Sequence, residues 1–214
     1  MPSELIRLSA VEKWYGPNRV LGPVSLCVRP GEVLGVYGSN GSGKTTLLSI
    51  LAGVLAPDKG TVARADCLGG AVGYVPQDVA LYPTLSARDN LRFWADVYGL
   101  PPRAARARVD WLLGLMQLSD KGNAKVEDCS GGMKRRLNLA AALVITPKLL
   151  LLDEPTVGTD EESSEIVLSV VERLSRGGCA VVISTHLRRD LTRVAGRILY
   201  LKAGIPSESE PPPA

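Results

Sequence analysis

A glycine-rich stretch that ends in a lysine and two threonines holds the residues best suited to chemistry. Residues 38–45 fit the pattern GxxxxGK[ST], in which the backbone N–H groups of a turn point at phosphate oxygens. In this pattern Lys44 reaches the β- and γ-phosphates, and the hydroxyl of Thr45 holds Mg²⁺. The candidate phosphate-binding residues are Gly38, Ser39, Asn40, Gly41, Ser42, Gly43, Lys44, Thr45 and Thr46. The stretch predicts a binding site for a nucleoside triphosphate.

Two carboxylates follow an apolar run later in the chain. Asp153 and Glu154 come directly after residues 149–152, which are typical of a buried strand. Open α/β sheets place ligand-contacting groups at the carboxyl ends of their strands. An aspartate there can bind Mg²⁺, and a glutamate beside it can orient or deprotonate the water that attacks the γ-phosphate. Such a pair is also common in turns and helix caps, but the phosphate loop favours the catalytic interpretation.

Two further groups belong to the same predicted chemistry. His186, the one histidine of the chain, follows the apolar run 180–184 and so falls at the same edge of the sheet. Ser130, Gly131 and Gly132 precede a helical apolar pattern, and they predict a second helix N-terminus able to bind an anion. The basic residues 134–136 after them either raise the local positive potential or are ordinary surface residues.

The elements that must position these residues change character along the chain. Residues 5–28 alternate apolar and polar positions around a turn at residues 16–18, which predicts a small antiparallel β lobe. Residues 72–75 predict a strand that ends shortly before Gln77. Residues 86–145 follow a helical period. Since short continuous apolar runs separated by a helix are typical of parallel strands buried on both faces, the predicted fold class is α/β.

Smaller signals mark the boundaries of these elements. Capping boxes are predicted at Ser86 with Asp89 and at Thr159 with Glu162. The arginines of the helix predicted near residues 102–116 are expected to be ordinary solvated surface; they are Arg103, Arg106 and Arg108. Residues 205–214 carry four prolines and little apolar content, so they are expected to form a disordered tail.

Composition limits the setting and the partners. A chain of 214 residues that is 45% hydrophobic can bury one substantial core, and we expect one domain with two lobes. Its net charge of +3, spread along the chain, gives no support to a nucleic-acid partner. Four scattered cysteines without a CxxC pair or a secretory leader favour a reduced, cytosolic setting. Because its apolar runs are strand-sized, any membrane role is expected to need another polypeptide.

Taken together, five motifs resemble those of the ATPase domain of ABC transporters. They occur in the order GSNGSGKTT, YVPQ, SGGMKRR, LLLLDEPTVG and ISTH, within residues 5 to about 204. The resemblance implies a P-loop NTPase with a RecA-like, mostly parallel sheet core, an N-terminal antiparallel β subdomain and an α-helical subdomain. It implies a single domain over residues 1–204, with the helical subdomain at about 81–145 and the remainder at about 1–80 and 146–204.

The resemblance also implies a role for each candidate residue, with ATP and Mg²⁺ as the bound species. Two such domains would enclose two nucleotides, so that each phosphate site is completed by the partner. Near the base and the metal, the implied roles are adenine stacking for Tyr15, with Trp14 as its rival, contact with Mg²⁺ and the attacking water for Gln77, and Mg²⁺ support for Asp153. At the γ-phosphate, Glu154 is the implied general base, His186 the implied sensor and Lys44 the catalytic lysine. Ser130, Gly131 and Gly132 are implied to bind the γ-phosphate held by the other subunit.

At the level of function, the resemblance implies an ATP-hydrolysing subunit on the cytoplasmic face of the membrane. It would dimerise on ATP, as a homodimer or with another ABC ATPase, and drive a separate transmembrane permease. The wording SGGMKRR and residues 81–90 look most like the ABC-2 class of exporters. The segment that begins at Cys129 and includes Ser130, Gly131 and Gly132 resembles the LSGGQ-like signature of the family. Two positions depart from the family pattern, since Cys129 replaces the leucine that opens the signature and Thr159 replaces the apolar residue before Asp160, and both are expected near the dimer seam.

Two alternatives stay open at this point. A soluble ABC-type ATPase would act on ribosomes, DNA repair or metal-cluster assembly without a permease, but such proteins carry paired domains, coiled coils or zinc modules that this chain lacks. A GTPase or small-molecule kinase would leave the second anion site unused, and the NKxD guanine motif is missing from the sequence.

Overall fold

The computed structural model describes residues 3–207, which form two sheets and the helices around them. The strands are β1 Ile6–Tyr15, β2 Asn18–Val28, β3 Val33–Tyr37, β4 Lys59–Arg64, β5 Val72–Val75, β6 Leu149–Asp153, β7 Ala180–Thr185, β8 Arg197–Lys202 and β9 Ile205–Ser207. The α-helices are α1 Lys44–Ala52, α2 Ala87–Val97, α3 Pro102–Leu115, α4 Gly131–Ala142, α5 Glu161–Arg176 and α6 Arg188–Val194.

The larger sheet has the order β5-β6-β7-β3-β8-β9 and is parallel except for its last strand. Strands β6 and β7 are buried along their whole length. Successive side chains of β6 point to opposite faces, so Leu150 and Leu152 pack in one apolar core while Leu149 and Leu151 pack in the other. The predicted α/β class is confirmed, and the carboxyl ends of β3, β6 and β7 share one edge.

The smaller sheet is antiparallel, with the order β2-β1-β4, and its hairpin turns at Gly16 and Pro17. Its apolar face shares one core with α1 and the larger sheet. The antiparallel β lobe is therefore confirmed, and it lies against the glycine-rich loop.

Helices α2, α3 and α4 fill the segment predicted to be helical. The Ser86 hydroxyl accepts a hydrogen bond from the Asp89 N–H at 3.0 Å, as the capping box predicts. Gly99 takes a positive φ of 69° just after α2, where a glycine is favoured because it has no Cβ. In residues 3–207 we find no helix with both the length and the apolar character needed to cross a bilayer.

The capping box predicted at Thr159 is wrong by one residue. Asp160 is the N-cap of α5, and its carboxylate accepts a hydrogen bond from the Ser163 N–H at 2.7 Å. The Thr159 hydroxyl instead contacts the carbonyl of Thr156 and the hydroxyl of Ser164, each at 2.8 Å. Both residue types can cap a helix, and these contacts decide between them. Together with a second hydrogen bond, from the Ser163 hydroxyl, this contact holds the pKa of Asp160 below its ordinary value.

The predicted disordered tail is wrong for its first three residues. Ile205–Ser207 form β9 and pair antiparallel with β8, Lys202 opposite Ile205 and Tyr200 opposite Ser207. The turn between the strands depends on Gly204, which has a φ of 77° and whose Cβ would lie 2.5 Å from the Val20 carbonyl oxygen. The rest of the tail prediction, residues 208–214, falls outside the described residues.

Candidate active site

The glycine-rich loop connects β3 to α1 and depends on close backbone packing. A Cβ on Gly38 would lie 2.4 Å from the Ser42 hydroxyl oxygen and 2.5 Å from the Leu201 carbonyl oxygen. Gly43 caps α1 with a φ of 100°, and a Cβ there would lie 2.6 Å from the Val20 carbonyl oxygen. Only glycine fits these two positions, so the sequence fixes the loop around the N-terminus of α1.

Lys44 is buried at the start of α1 and is surrounded by oxygen atoms. Its side chain is 6% exposed, and its Nζ donates to the carbonyls of Gly38 at 2.8 Å and Ser39 at 3.1 Å. The same Nζ lies 2.9 Å from Oε1 of Glu154. Glu154 Oε1 is buried without a hydrogen-bond partner in residues 3–207, so its contact with Lys44 is an ion pair. A buried ammonium needs such partners, and they keep the cation beside the loop.

An open cleft of about 480 Å³ brings the loop together with residues from distant parts of the chain. Gln77, after β5, and Glu154, after β6, line it. Val20 of β2 lines it from the β lobe, and nothing in the sequence singles out that residue. The remaining lining residues are Asn40, Gly41, Gly43, Lys44, Thr45 and Thr46. The cleft therefore unites six of the nine candidate loop residues with Gln77 and Glu154, while Gly38, Ser39 and Ser42 do not line it.

Asp153 is fully buried at the carboxyl end of β6 and is held from the neighbouring strand. Ser184 of β7 stands opposite it in the parallel register, and its hydroxyl donates to Oδ1 of Asp153 at 2.5 Å. The other carboxylate oxygen, Oδ2, is buried and has no hydrogen-bond partner in residues 3–207. Ser184 was not among the predicted site residues, although it ends the predicted apolar run 180–184 at the same edge of the sheet.

Glu154 occupies an uncommon backbone conformation, with a φ of 50°. Its N–H donates to the Ser184 carbonyl at 3.0 Å, which holds the turn after β6 against β7. Its Oε2 lies 3.1 Å from Nδ1 of His186. Lys44 and His186 therefore contact the two oxygens of one buried carboxylate. His186 is 37% exposed and reaches solvent, whereas Glu154 does not.

A divalent cation such as Mg²⁺ fits the oxygen atoms at this edge. The unpartnered Oδ2 of Asp153 is a buried anionic ligand, and Thr45 and Gln77 supply a hydroxyl and an amide along the cleft. Mg²⁺ keeps several waters and takes few protein ligands in nucleotide sites, so a group of three acidic, cysteine or histidine ligands is not needed. Residues 3–207 contain no such group.

Tyr15 and Trp14 lie outside the cleft lining, at the end of the first hairpin. Tyr15 is 55% exposed. The Trp14 indole donates to Glu12 at 3.2 Å, and Lys59 lies 5.5 Å from its ring centroid. Lys13 lies 5.9 Å from the Tyr15 ring centroid, so both rings have a cationic neighbour. Because Trp14 is half-buried and Tyr15 is exposed, Tyr15 is the better placed of the two to offer a ring to a base.

The signature residues also lie away from the cleft of their own chain. The Ser130 hydroxyl caps α4 by accepting from the Met133 N–H at 3.2 Å, which confirms the predicted helix start. Gly132 packs against the start of α5, since a Cβ there would lie 2.2 Å from the Ser163 hydroxyl oxygen and 2.6 Å from the Asp160 carboxylate. Gly131 has open space around it.

The family departures and the basic residues after the signature have structural contacts. The Cys129 thiol is buried and lies 3.3 Å from the Lys125 carbonyl, and burial raises the pKa of the Cys129 thiol. The three basic residues donate to the backbone carbonyls of other segments; they are Lys134 to Glu127, Arg135 to Gln77 and Arg136 to Met116. These contacts favour a positioning role, in which Arg135 ties α4 to the Gln77 segment.

Known proteins resemble this chain over most of its length. The family model described as ABC transporter matches residues 21–157. The linearmycin resistance ATP-binding protein LnrL of Bacillus subtilis is 35% identical over 208 residues, which cover 94% of this chain and 67% of that protein. The Nod factor export ATP-binding protein I of Paraburkholderia xenovorans is 37% identical over 212 residues, covering 95% of this chain and 70% of that protein. This chain thus spans about two thirds of the length of these relatives.

Solved structures show the same fold. A dimeric ATP-binding cassette in a post-hydrolysis state, bound to ADP and Pi, superposes with a TM-score of 0.86 at 28% identity, covering 96% of this chain and 98% of that one. The cbiO1 protein of Clostridium perfringens, part of the ABC transporter complex cbiONQ, gives 0.85 at 25% identity, covering 96% and 88%. With the family model matched over more than half of its length, this chain belongs to the ABC transporter family as an ATP-binding subunit with ATPase activity.

Proposed function

We propose that this chain hydrolyses Mg²⁺-bound ATP to drive a separate transmembrane permease, as part of an exporter on the cytoplasmic face of the membrane. The observation that carries the proposal is the Glu154 carboxylate, buried between Lys44 and His186 at the glycine-rich loop. A buried acid facing a phosphate site suits the activation of water.

The contacts support a division of labour among the site residues. Lys44 is kept at the loop by two carbonyls and one carboxylate, from where its ammonium can bind the β- and γ-phosphates of ATP. Glu154 accepts a proton from the attacking water, and His186 orients its carboxylate. Thr45, Gln77 and Asp153 would hold Mg²⁺, which neutralises phosphate charge when bound.

The position of the signature supports completion of the site by a second subunit. In residues 3–207 the cleft is lined by the loop, Gln77, Glu154 and Val20, and not by Ser130 or Gly131. Both of the latter are exposed at the N-terminus of α4, where free N–H groups favour an anion. A second copy, or a different ABC ATPase, would place this helix end on the γ-phosphate. The solved cassette of the same fold is dimeric.

An exposed apolar surface beside Gln77 supports a membrane partner. We name it the α2 surface; its members are Val79, Tyr82, Leu85, Phe93, Val97 and Tyr98, each between 36% and 56% exposed. The rings of Tyr82 and Phe93 lie 4.8 Å apart, edge to face. Large exposed apolar patches mark interaction sites, so this surface suits an apolar segment of a permease. The α2 surface also favours a subunit that binds a permease over a soluble ATPase that acts without one.

Export is proposed from the relatives. The two curated relatives described above are named for Nod factor export and for linearmycin resistance. The cargo would be selected by the permease, since the described site is proposed to bind only nucleotide.

Site-specific cross-linking in membranes tests the proposal. We expect Phe93→p-benzoylphenylalanine to form an adduct with an integral membrane protein, because the substituted ring lies on the α2 surface. The matched control, Ile205→p-benzoylphenylalanine, places the same group on β9, where the side chain is 55% exposed. Adducts with soluble proteins alone, or equal membrane adducts from both positions, would count against a permease partner.

A further inference from the structure

A second large cavity lies far from the nucleotide cleft, between α3 and α5. We name it the α3–α5 cavity; its volume is about 550 Å³, in the range of small-molecule sites. Lys148 and Cys179 line it, and they directly precede β6 and β7. Asp153 and His186 belong to the opposite ends of these strands. Since the five residues of β6 span roughly 16 Å, this cavity is separate from the active site.

The charge around the α3–α5 cavity is positive and uncompensated. Arg108, Arg173 and Lys148 line it, and its lining includes no aspartate or glutamate. Neither Arg173 nor Lys148 makes an ion pair with a carboxylate in residues 3–207. Elsewhere on α5, Glu172 and Glu165 are paired with Arg193. These two acids therefore pair with a cation outside the cavity lining, and Arg173 and Lys148 are left available to an anion.

Arg108 and Trp111 give the cavity a fixed wall. The prediction that Arg108 is ordinary solvated surface is wrong, because its side chain is half-buried and donates to the carbonyls of Val144 and Ile145, both at 3.3 Å. Its guanidinium stacks on the Trp111 ring at 4.6 Å, and that of Arg173 lies 6.0 Å from the same ring. Leu115, Val170 and Leu174 add aliphatic surface.

We propose that the α3–α5 cavity binds an amphipathic anion, a carboxylate or phosphate attached to an apolar body. Arg173 and Lys148 bind the charged group, because neither has a carboxylate partner in residues 3–207 and the Arg108 guanidinium already donates to backbone carbonyls. Trp111, Leu115 and Val170 contact the apolar body. The proposal does not depend on the permease, and a bound ligand would join α3 of the helical segment to α5 of the core.

Fluorescence titration with 8-anilinonaphthalene-1-sulfonate, an amphipathic aromatic anion, tests the proposal on the full chain. We expect one saturable site that Mg²⁺-ATP does not displace. Octanoate and 1-naphthoate, an acyl and an aromatic carboxylate, should compete, and the stronger of the two identifies the natural kind of apolar body. Inorganic phosphate and neutral 1-naphthalenemethanol should compete poorly, since each lacks one half of the ligand. Competition as strong from either of these two would overturn the proposal.

Charge removal locates the site. We expect the double variant Arg173→Gln, Lys148→Gln to weaken probe binding about three- to tenfold, as expected for two partly exposed charge contacts. The matched control is Arg176→Gln, Arg103→Gln, which removes two exposed cations outside the lining. In nuclear magnetic resonance spectra, the indole N–H signal lost in Trp111→Phe should be the signal most shifted by the probe. Equal loss in both double variants, or an unmoved Trp111 signal, would refute the site.

Discussion

At the scale of single residues, one carboxylate connects the recognition of phosphate to the chemistry. Glu154 contacts Lys44 with one oxygen and His186 with the other. Its backbone has a φ of 50°, and its N–H donates to the Ser184 carbonyl, which holds the turn against β7. Residues at positive φ are costly and persist where the surrounding contacts hold them. The geometry thus favours one precise role for this side chain, that of the general base.

We therefore expect Glu154→Gln to slow ATP turnover by ~10²- to 10⁴-fold, the usual loss for a positioned general base. ATP affinity should be retained, because the amide keeps the shape of the side chain and the loop is unchanged. Single-turnover hydrolysis and calorimetric titration measure the two quantities. Glu161→Gln, on the exposed first turn of α5, is the control. Turnover that matches the unsubstituted protein would remove Glu154 from the mechanism.

At the scale of elements, the starts of α4 and α5 pack on each other. Gly132 lies so close to Ser163 and Asp160 that no Cβ fits, whereas Gly131 beside it has open space. The signature therefore combines an exposed anion-binding end with a packing glycine. The exposed helix end is proposed to bind nucleotide, whereas the packed Gly132 contributes to the stability of the fold.

Substitution of the two glycines should separate these properties. We expect Gly132→Ala to lower the free energy of unfolding by ~1–3 kcal/mol, the usual cost of overpacking. Gly131→Ala should leave that free energy within ~0.5 kcal/mol of the parent, as surface substitutions usually do. Urea denaturation of both variants gives the comparison. Equal stability of the two would contradict the close approach of α4 and α5.

Local signals explain which elements the sequence predicts well. The apolar runs of β5, β6 and β7, and the Ser86 cap, need only neighbouring residues to be read. Strand β9 was missed because its turn depends on Gly204 packing against Val20, far away in the chain. The sequence also could not decide whether Thr159 or Asp160 caps α5. That choice depends on the contact of the Thr159 hydroxyl with Ser164, one turn into the helix.

The residues of the site likewise divide into those that local sequence indicates and those that only the fold brings in. The loop and the two acids at the end of β6 are contiguous motifs, so sequence alone indicates them. Ser184 and Val20 enter the site only through strand pairing and through the β lobe, and Arg108 was misjudged because its carbonyl partners follow α4. Contacts between distant segments are the part that sequence reasoning could not supply.

At the scale of the whole molecule, the residues of the proposed phosphate site fall into two groups that do not meet within one chain. The glycine-rich loop opens into one cleft, and Ser130 and Gly131 are exposed at another part of the surface. Both halves are formed by ordinary helix N-termini, and each suits an anion. A second subunit would bring them together.

Sedimentation velocity of Glu154→Gln at saturating Mg²⁺-ATP tests this central claim most directly. We predict a dimer, because slow turnover preserves the ATP that joins the two copies. Adding Gly131→Glu should restore the monomer by placing a negative charge at the phosphate, whereas Gly114→Glu, on an exposed part of α3 with room for a side chain, should not. A monomer in Glu154→Gln with Mg²⁺-ATP, or a dimer that persists with Gly131→Glu, would contradict the shared site.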